Sequence, residues 1–342
     1  MGQAPSYKCL NGSNRVIECA DGYLIDFYGD SALWYGPVQI LFSVFIVVSD
    51  IIFMSIFFSS SSLRSIPANF FLVGLVLTDC IHYTCLHAGA IALLIGYVTQ
   101  TREHTLFCKI VGLTVMATGT CSFGFPGLIA AQRYYKISYM PTLSRFSMGE
   151  TVFGDKRLVP LMIIWWTISI SVNLPLIIFF DEFGEDADGY CGVKPFREAL
   201  PFAIFLISVI SVFVVSYIFM GVYYYRLGRF LKTQHTTESN KESMNITRSI
   251  MLMTKIIVIV PMFMMTPTII LTAGQWMLHG LVPMWLNRII VTLYYIPASM
   301  TPWVAIYTLT PFRKQFLKFY FNIKRRLSTE VSTTSVRSVE PN

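Results

Sequence analysis

Two acids and two histidines stand inside long apolar runs: Asp50, Asp79, His82 and His87. Acids and imidazoles at membrane depth are expensive, so a functional reading is the default for them. They could line an ion path. As metal ligands the two histidines are badly spaced. They are five residues apart, off the i, i+4 register that a helical pair needs, and no HExxH sequence occurs. The seven cysteines (Cys9, Cys19, Cys80, Cys85, Cys108, Cys121 and Cys191) contain no CxxC pair, so a zinc site is not indicated. No enzyme is expected. An ion channel or transporter using the intramembrane carboxylates is the alternative function. Against it, the chain has no internal repeat and no carbonyl-filter sequence.

Composition sets the elements that must hold these residues. Of 342 residues, 54% are hydrophobic and only 13% are charged. A soluble domain carries roughly 25% charged residues. A spanning helix needs about 20 mostly apolar residues. Seven stretches qualify, near 37–60, 69–98, 107–137, 158–180, 199–230, 246–273 and 282–309. The seventh is the weakest, since it carries Asn287, Arg288 and several prolines. The net charge of +7 does not point to nucleic acid, because the basic residues cluster in the short segments between apolar runs. One side collects most of them, among them Arg133, Lys136, Arg226, Arg229, Lys255 and the run after Pro311. The richer side is expected to be cytoplasmic, which puts the N-terminus outside and the C-terminus inside.

The expected fold is therefore an all-α membrane protein, a seven-transmembrane helix bundle over residues 33–310. Residues 1–32 form an extracellular segment with a glycosylation sequon at Asn11. Residues 311–326, PFRKQFLKFYFNIKRR, read as a short amphipathic helix on the lipids of the inner leaflet. Its apolar residues, Phe312, Phe316, Phe319, Tyr320 and Ile323, recur at helical spacing. Residues 327–342 are polar and rich in Ser and Thr, and are expected to be disordered. The acidic loop after the fourth span, with Asp181, Glu182, Glu185, Asp186 and Asp188, reads as a solvated face.

From about 37 to 320 the chain resembles the rhodopsin-like (class A) G-protein-coupled receptors. LRSIPANFFLVGLVLTD looks like the family's LRxPxNxFLxxLxxxD, in register from Asn69 to Asp79. Gln132-Arg133-Tyr134 is similar to the family's Asp/Glu-Arg-Tyr, and Cys108 lies 25 residues before Arg133, as the pattern requires. Trp165 precedes Pro175, and Pro302 precedes Phe312-Arg313, at the family spacings. The resemblance implies a plasma-membrane receptor that turns an extracellular ligand into heterotrimeric G-protein activation, with arrestin as a further partner. It implies a disulfide between Cys108 and Cys191. Whether Cys9 and Cys19 pair stays open. Coupling and switch positions fall on Gln132, Arg133, Tyr134, Pro302 and Tyr307. A structural sodium ion, the one cofactor implied, falls on Asp79, Ser122 and Thr301. From the residues alone, Asp79 is equally a carboxyl hydrogen-bonded to its neighbours.

Several positions depart from the family. Ser49-Asp50 stands where the family has Gly-Asn, and Gln132 replaces the acid before the arginine. Pro126-Gly127 falls within the third span and is expected to kink it. The fifth span lacks the family proline, and Met265 in MMTPT stands at the family tryptophan. Thr301-Pro302-Trp303-Val304-Ala305 replaces NPxxY, and the tyrosine comes at Tyr307. The implied ligand pocket comprises Val115, Met116, Gly119, Met265, Thr268, Thr272, Val291 and Tyr295, with His82. Val115 stands where amine receptors have an aspartate, so a monoamine is not expected. Tyr295 stands where opsins have their retinal lysine, so a light receptor is not expected. The eroded motifs resemble those of nematode chemosensory receptors.

Overall fold

A backbone that crosses lipid must satisfy its own N–H and C=O groups, so each apolar stretch has to become a helix. The structure, a computed structural model, describes residues 8–10, 16–18, 31–66, 68–99, 105–138, 152–185, 191–193, 199–233, 248–249, 251–253, 255–257, 259–260, 263, 284–293 and 295–337. Ala32–Ser59, Ala68–Thr99, Thr105–Ser138 and Leu158–Ile178 form the first four spans. The fifth runs through Ala199–Phe205, a π-helical turn at Leu206–Ile210, and Ser211–Thr233. The sixth is described only in short helical pieces between 248 and 263. The seventh comprises Met284–Leu293 and Tyr295–Thr308. Among the described residues, six helices are long and apolar enough to cross a membrane, the seventh span included. The fold is a seven-transmembrane helical bundle.

The apolar surface is distributed as lipid solvent requires. Leu41, Phe45, Ile163, Ile207, Val215 and Ile218 are all exposed, so they face the membrane. Inside, Phe53, Phe71, Phe125, Ile129, Ala305 and Phe312 belong to one buried cluster. That cluster joins the first, second, third and seventh spans and the helix that follows. Phe53 and Phe312 stack with centroids 4.8 Å apart. Close approach of the third span to the fourth depends on Gly124. A Cβ there would meet Cζ2 of Trp165 at 2.1 Å. The indole N–H of Trp165 donates to the carbonyl of Cys121 at 2.8 Å, on the outer side of that contact.

The third span carries Pro126 inside one helix from Thr105 to Ser138. Three features differ from the expectation. The chain is not wholly helical among the described residues. Strands β1 (Lys8–Leu10) and β2 (Val16–Glu18) pair antiparallel, as do β3 (Phe183–Glu185) and β4 (Cys191–Val193). The helix after the seventh span runs from Thr310 to Arg337, past Arg326 and through most of the expected disordered tail. Leu327 to Arg337 holds no Gly or Pro, and extending an existing helix avoids a new nucleation step. Finally, Phe312, Phe316 and Phe319 pack against the bundle core rather than only against the leaflet.

Candidate functional site

The outer end is organised by a hairpin pinned to the third span. Cys108 and Cys191 form a disulfide with their Cα atoms 4.6 Å apart. One helical turn beyond Cys108 stands Gly112. A Cβ at that position would meet the carbonyl oxygen of Gly192 at 2.9 Å and two further backbone atoms at 3.2 Å. The missing side chain is what lets β4 lie flat against the helix. Lys109 adds an ion pair to Asp181 at 2.6 Å. Asp181 is therefore tied to the third span while staying exposed, as expected of a solvated loop, whereas Glu182 beside it is buried. Glycine at i+4 from a cysteine was the available sequence signal for this junction.

Below the hairpin lie the described pocket candidates. His82, buried in the second span, places Nδ1 2.9 Å from the Thr118 hydroxyl and 3.1 Å from the Val115 carbonyl. His82 and Val115 are thus brought together, and Thr118 joins them without having been singled out. Val115 also packs against the Cys108–Cys191 cluster. Met116 packs toward Leu176, Phe183 and Phe205, on the side of the fourth and fifth spans. Tyr295 is 1% exposed and sits among Ile46, Tyr83 and Phe42, with Tyr83 at 5.3 Å between ring centroids. Val291 packs on Ala32, Tyr35 and Leu93. Gly119 is half-buried in the third span. Met265, Thr268 and Thr272 lie outside the described residues, as do Asn11 and Cys19. His87 places Nδ1 3.0 Å from the Ser43 hydroxyl, so both intramembrane histidines tie helices together.

At mid-depth, Ser122 donates to Oδ1 of Asp79 at 2.8 Å. Thr301 is buried and donates to the carbonyl of Pro297 at 3.2 Å. Trp303 donates its indole N–H to the Ser49 hydroxyl at 3.1 Å, which gives the Ser49 departure a role between the first and seventh spans. Beside Ser49, Asp50 is 0% exposed. Among the described residues, neither of its carboxylate oxygens has a hydrogen-bond partner. Hard oxygen donors at Asp79, Ser122 and Thr301 suit a cation.

The inner end carries the motif arginine. Arg133 is 7% exposed and Gln132 is 1% exposed. Among the described residues, Nε and Nη2 of Arg133 and Oε1 of Gln132 have no hydrogen-bond partner. Next to them is an aromatic group that the sequence did not single out. The hydroxyls of Tyr135 and Tyr223 meet, Phe153 stacks on Tyr135, and Arg226 lies 5.9 Å from the Tyr223 centroid. Tyr134 joins it, 6.0 Å from Tyr223 between centroids. Pro302 is buried in the seventh span, whereas Tyr307 is 77% exposed. A further arginine closes the outer end. Arg288 is fully buried, donates to the Ser31 hydroxyl and lies 5.5 Å from the Tyr35 centroid. That anchor explains how the seventh span accommodates a charge.

Residues 49–323 match the family described as 7 transmembrane receptor (rhodopsin family). Among solved structures, the chain is similar to squid rhodopsin with a TM-score of 0.67 and 16% identity. The match covers 83% of this chain and 80% of that one. No curated protein sequence matches the chain.

Proposed function

The chain belongs to the rhodopsin family of seven-transmembrane receptors, and we propose that it converts binding of an extracellular ligand into activation of a heterotrimeric G protein. The observation that carries this reading is Arg133. Its guanidinium is buried at the inner end with two nitrogens unpartnered among the described residues. Leaving a buried cation unpaired costs free energy that a well-packed apolar side chain would not. An arriving C-terminal helix of a G-protein α subunit offers carbonyl and carboxylate acceptors to that guanidinium. Arg226, Arg229, Lys255 and Arg313 are all exposed on the segments around it. They would steer an acidic partner to the groove.

The ligand would enter from the side of the Cys108–Cys191 hairpin, with the chain in the plasma membrane, its N-terminus outside the cell and its C-terminus in the cytoplasm. Val115 and Tyr295 leave no carboxylate or lysine at the positions that amine receptors and opsins use, so a small, mainly apolar ligand of chemosensory type is the class we favour. Phosphates on the Ser/Thr-rich C-terminal segment would recruit arrestin through added negative charge. The test is a G-protein dissociation assay in cells, screened against lipids, peptides and small volatiles. A ligand response that disappears when the G proteins are deleted supports the reading. Currents or ion uptake that survive the deletion would favour a channel or transporter instead.

A further inference from the structure

The helix that follows the seventh span runs from Thr310 to Arg337 and carries two apolar faces. One is docked. Phe312 is buried, and Phe316 and Phe319 pack against the same core cluster. Phe316 also meets Trp303 edge-on, 6.0 Å between centroids. The second face is turned away from the bundle. Phe321 stands nine residues after Phe312, about two and a half helical turns, so the two rings leave the helix on opposite sides. Leu317 lies one turn before Phe321 and on its side. Leu317 and Phe321 are 45% and 60% exposed, and Tyr320 is exposed at the edge of the same face. Lys314, Lys318, Lys324 and Arg325 stand three, four or seven residues from Phe321, which puts them beside this ridge. All four are exposed. No acidic residue occurs from Thr310 to Thr329. An exposed apolar ridge rimmed by charge of one sign marks an interaction surface.

We propose that this exposed face of the last helix is a docking ridge for a calcium-loaded EF-hand sensor protein. An amphipathic helix enters a hydrophobic groove through anchors at i, i+3 and i+4, and Leu317, Tyr320 and Phe321 have that spacing. Calcium opens the helix pair of such a sensor and exposes a Met-rich apolar groove. The carboxylate-rich calcium loops give the sensor the negative charge that the lysines and arginine of this face complement. A basic amphipathic helix fits either a sensor of this kind or a membrane surface. The direction of the ridge favours the sensor. The docked aromatic residues meet the membrane-embedded core, and Phe321 points the opposite way. An acidic partner without an apolar groove would leave Leu317 and Phe321 in water. The proposal goes beyond the coupling reading and does not use Arg133.

The test uses the full chain in nanodiscs of neutral phosphatidylcholine, with calmodulin as the probe. Both faces of a nanodisc are open to solution, so the outcome depends neither on which way the chain is inserted nor on G-protein coupling. Binding is followed by surface plasmon resonance, with calcium and with a chelator. The expected result is saturable binding in calcium that weakens by at least roughly tenfold in the chelator. Replacing the anchors together, Leu317→Ser with Phe321→Ser, should weaken the calcium-dependent binding by roughly tenfold or more. Reversing the charges, Lys314→Glu with Lys318→Glu, should weaken it to a similar degree. All four side chains are exposed, so both double variants should melt as wild type does. A Phe321→Trp receptor, compared with wild type, tests the membrane as occupant. Its added emission should be quenched by acrylamide and protected by calcium-loaded calmodulin. Quenching of that emission by brominated phosphatidylcholine would place the ridge in lipid and overturn the proposal. So would the absence of calcium-dependent binding, or binding that both double variants leave unchanged. Loss of G-protein activation with calmodulin binding intact would count against the coupling reading and leave this one standing.

Discussion

The hydroxyls of Tyr135 and Tyr223 lie 3.0 Å apart and tie the inner end of the third span to that of the fifth. Phe153 stacks on one side of this pair at 5.5 Å, and Phe219 packs on the other at 4.6 Å. A neutral hydrogen bond contributes about 0.5–1.5 kcal/mol net. Tyr223→Phe keeps the ring packing and removes only that bond. The purified receptor should then melt a few degrees lower, on the order of 2–4 °C. An unchanged melting temperature would show that the bond adds nothing in the native state.

The hairpin junction gives a second test. At Gly112 a Cβ would press on the backbone of Gly192, which cannot rotate away. Overpacking of this kind costs about 1–3 kcal/mol. Gly112→Val should lower surface expression, and mass mapping without reduction should find free thiols at Cys108 and Cys191. Gly221→Val is the control, since nothing lies within 4 Å of its added Cβ. Equal behaviour of the two variants would rule out the packing account.

Gln132 offers a third. In the family, an acid at this position pairs with the arginine and restrains the inactive state. Here the Gln132 carbonyl and the Arg133 guanidinium are both unsatisfied among the described residues. A charge-assisted bond is about twice as strong as a neutral one. Gln132→Glu should therefore restore a restraint worth on the order of 1 kcal/mol. That reduces the active fraction several-fold. Ligand-free signalling, with surface expression matched to wild type, should fall. If it is unchanged or rises, Gln132 is not a point of release.

The elements and the long-range pairs were legible in the sequence to different degrees. Helices were readable because lipid permits little else for an apolar stretch of spanning length. Cys108 was readable because a motif 25 residues away fixed its place at the outer rim. Its pairing with Cys191, and the nearness of Ser122 to Asp79, were legible only through the family resemblance. Contacts between side chains on different helices were not readable. His82 reaches Thr118, Trp303 reaches Ser49 and Tyr135 reaches Tyr223 only because of how the helices are rotated. No local pattern encodes that rotation. The short strands have no sequence signature, because β4 is set by the disulfide and by Gly112, not by alternation. The helical spacing of the aromatic residues in the last helix is legible in the sequence, but the side they face is set by partners such as Phe53.

The central claim is that Arg133 is the group through which this receptor reaches a G protein. The direct measurement is ligand-free G-protein dissociation in cells expressing wild type and Arg133→Ala at equal surface levels. Mass mapping should confirm the Cys108–Cys191 link in both, so that a folding defect is not mistaken for a coupling one. The account predicts measurable basal dissociation for wild type and its loss, by at least roughly tenfold, in the variant. Basal dissociation that persists undiminished in Arg133→Ala would contradict it.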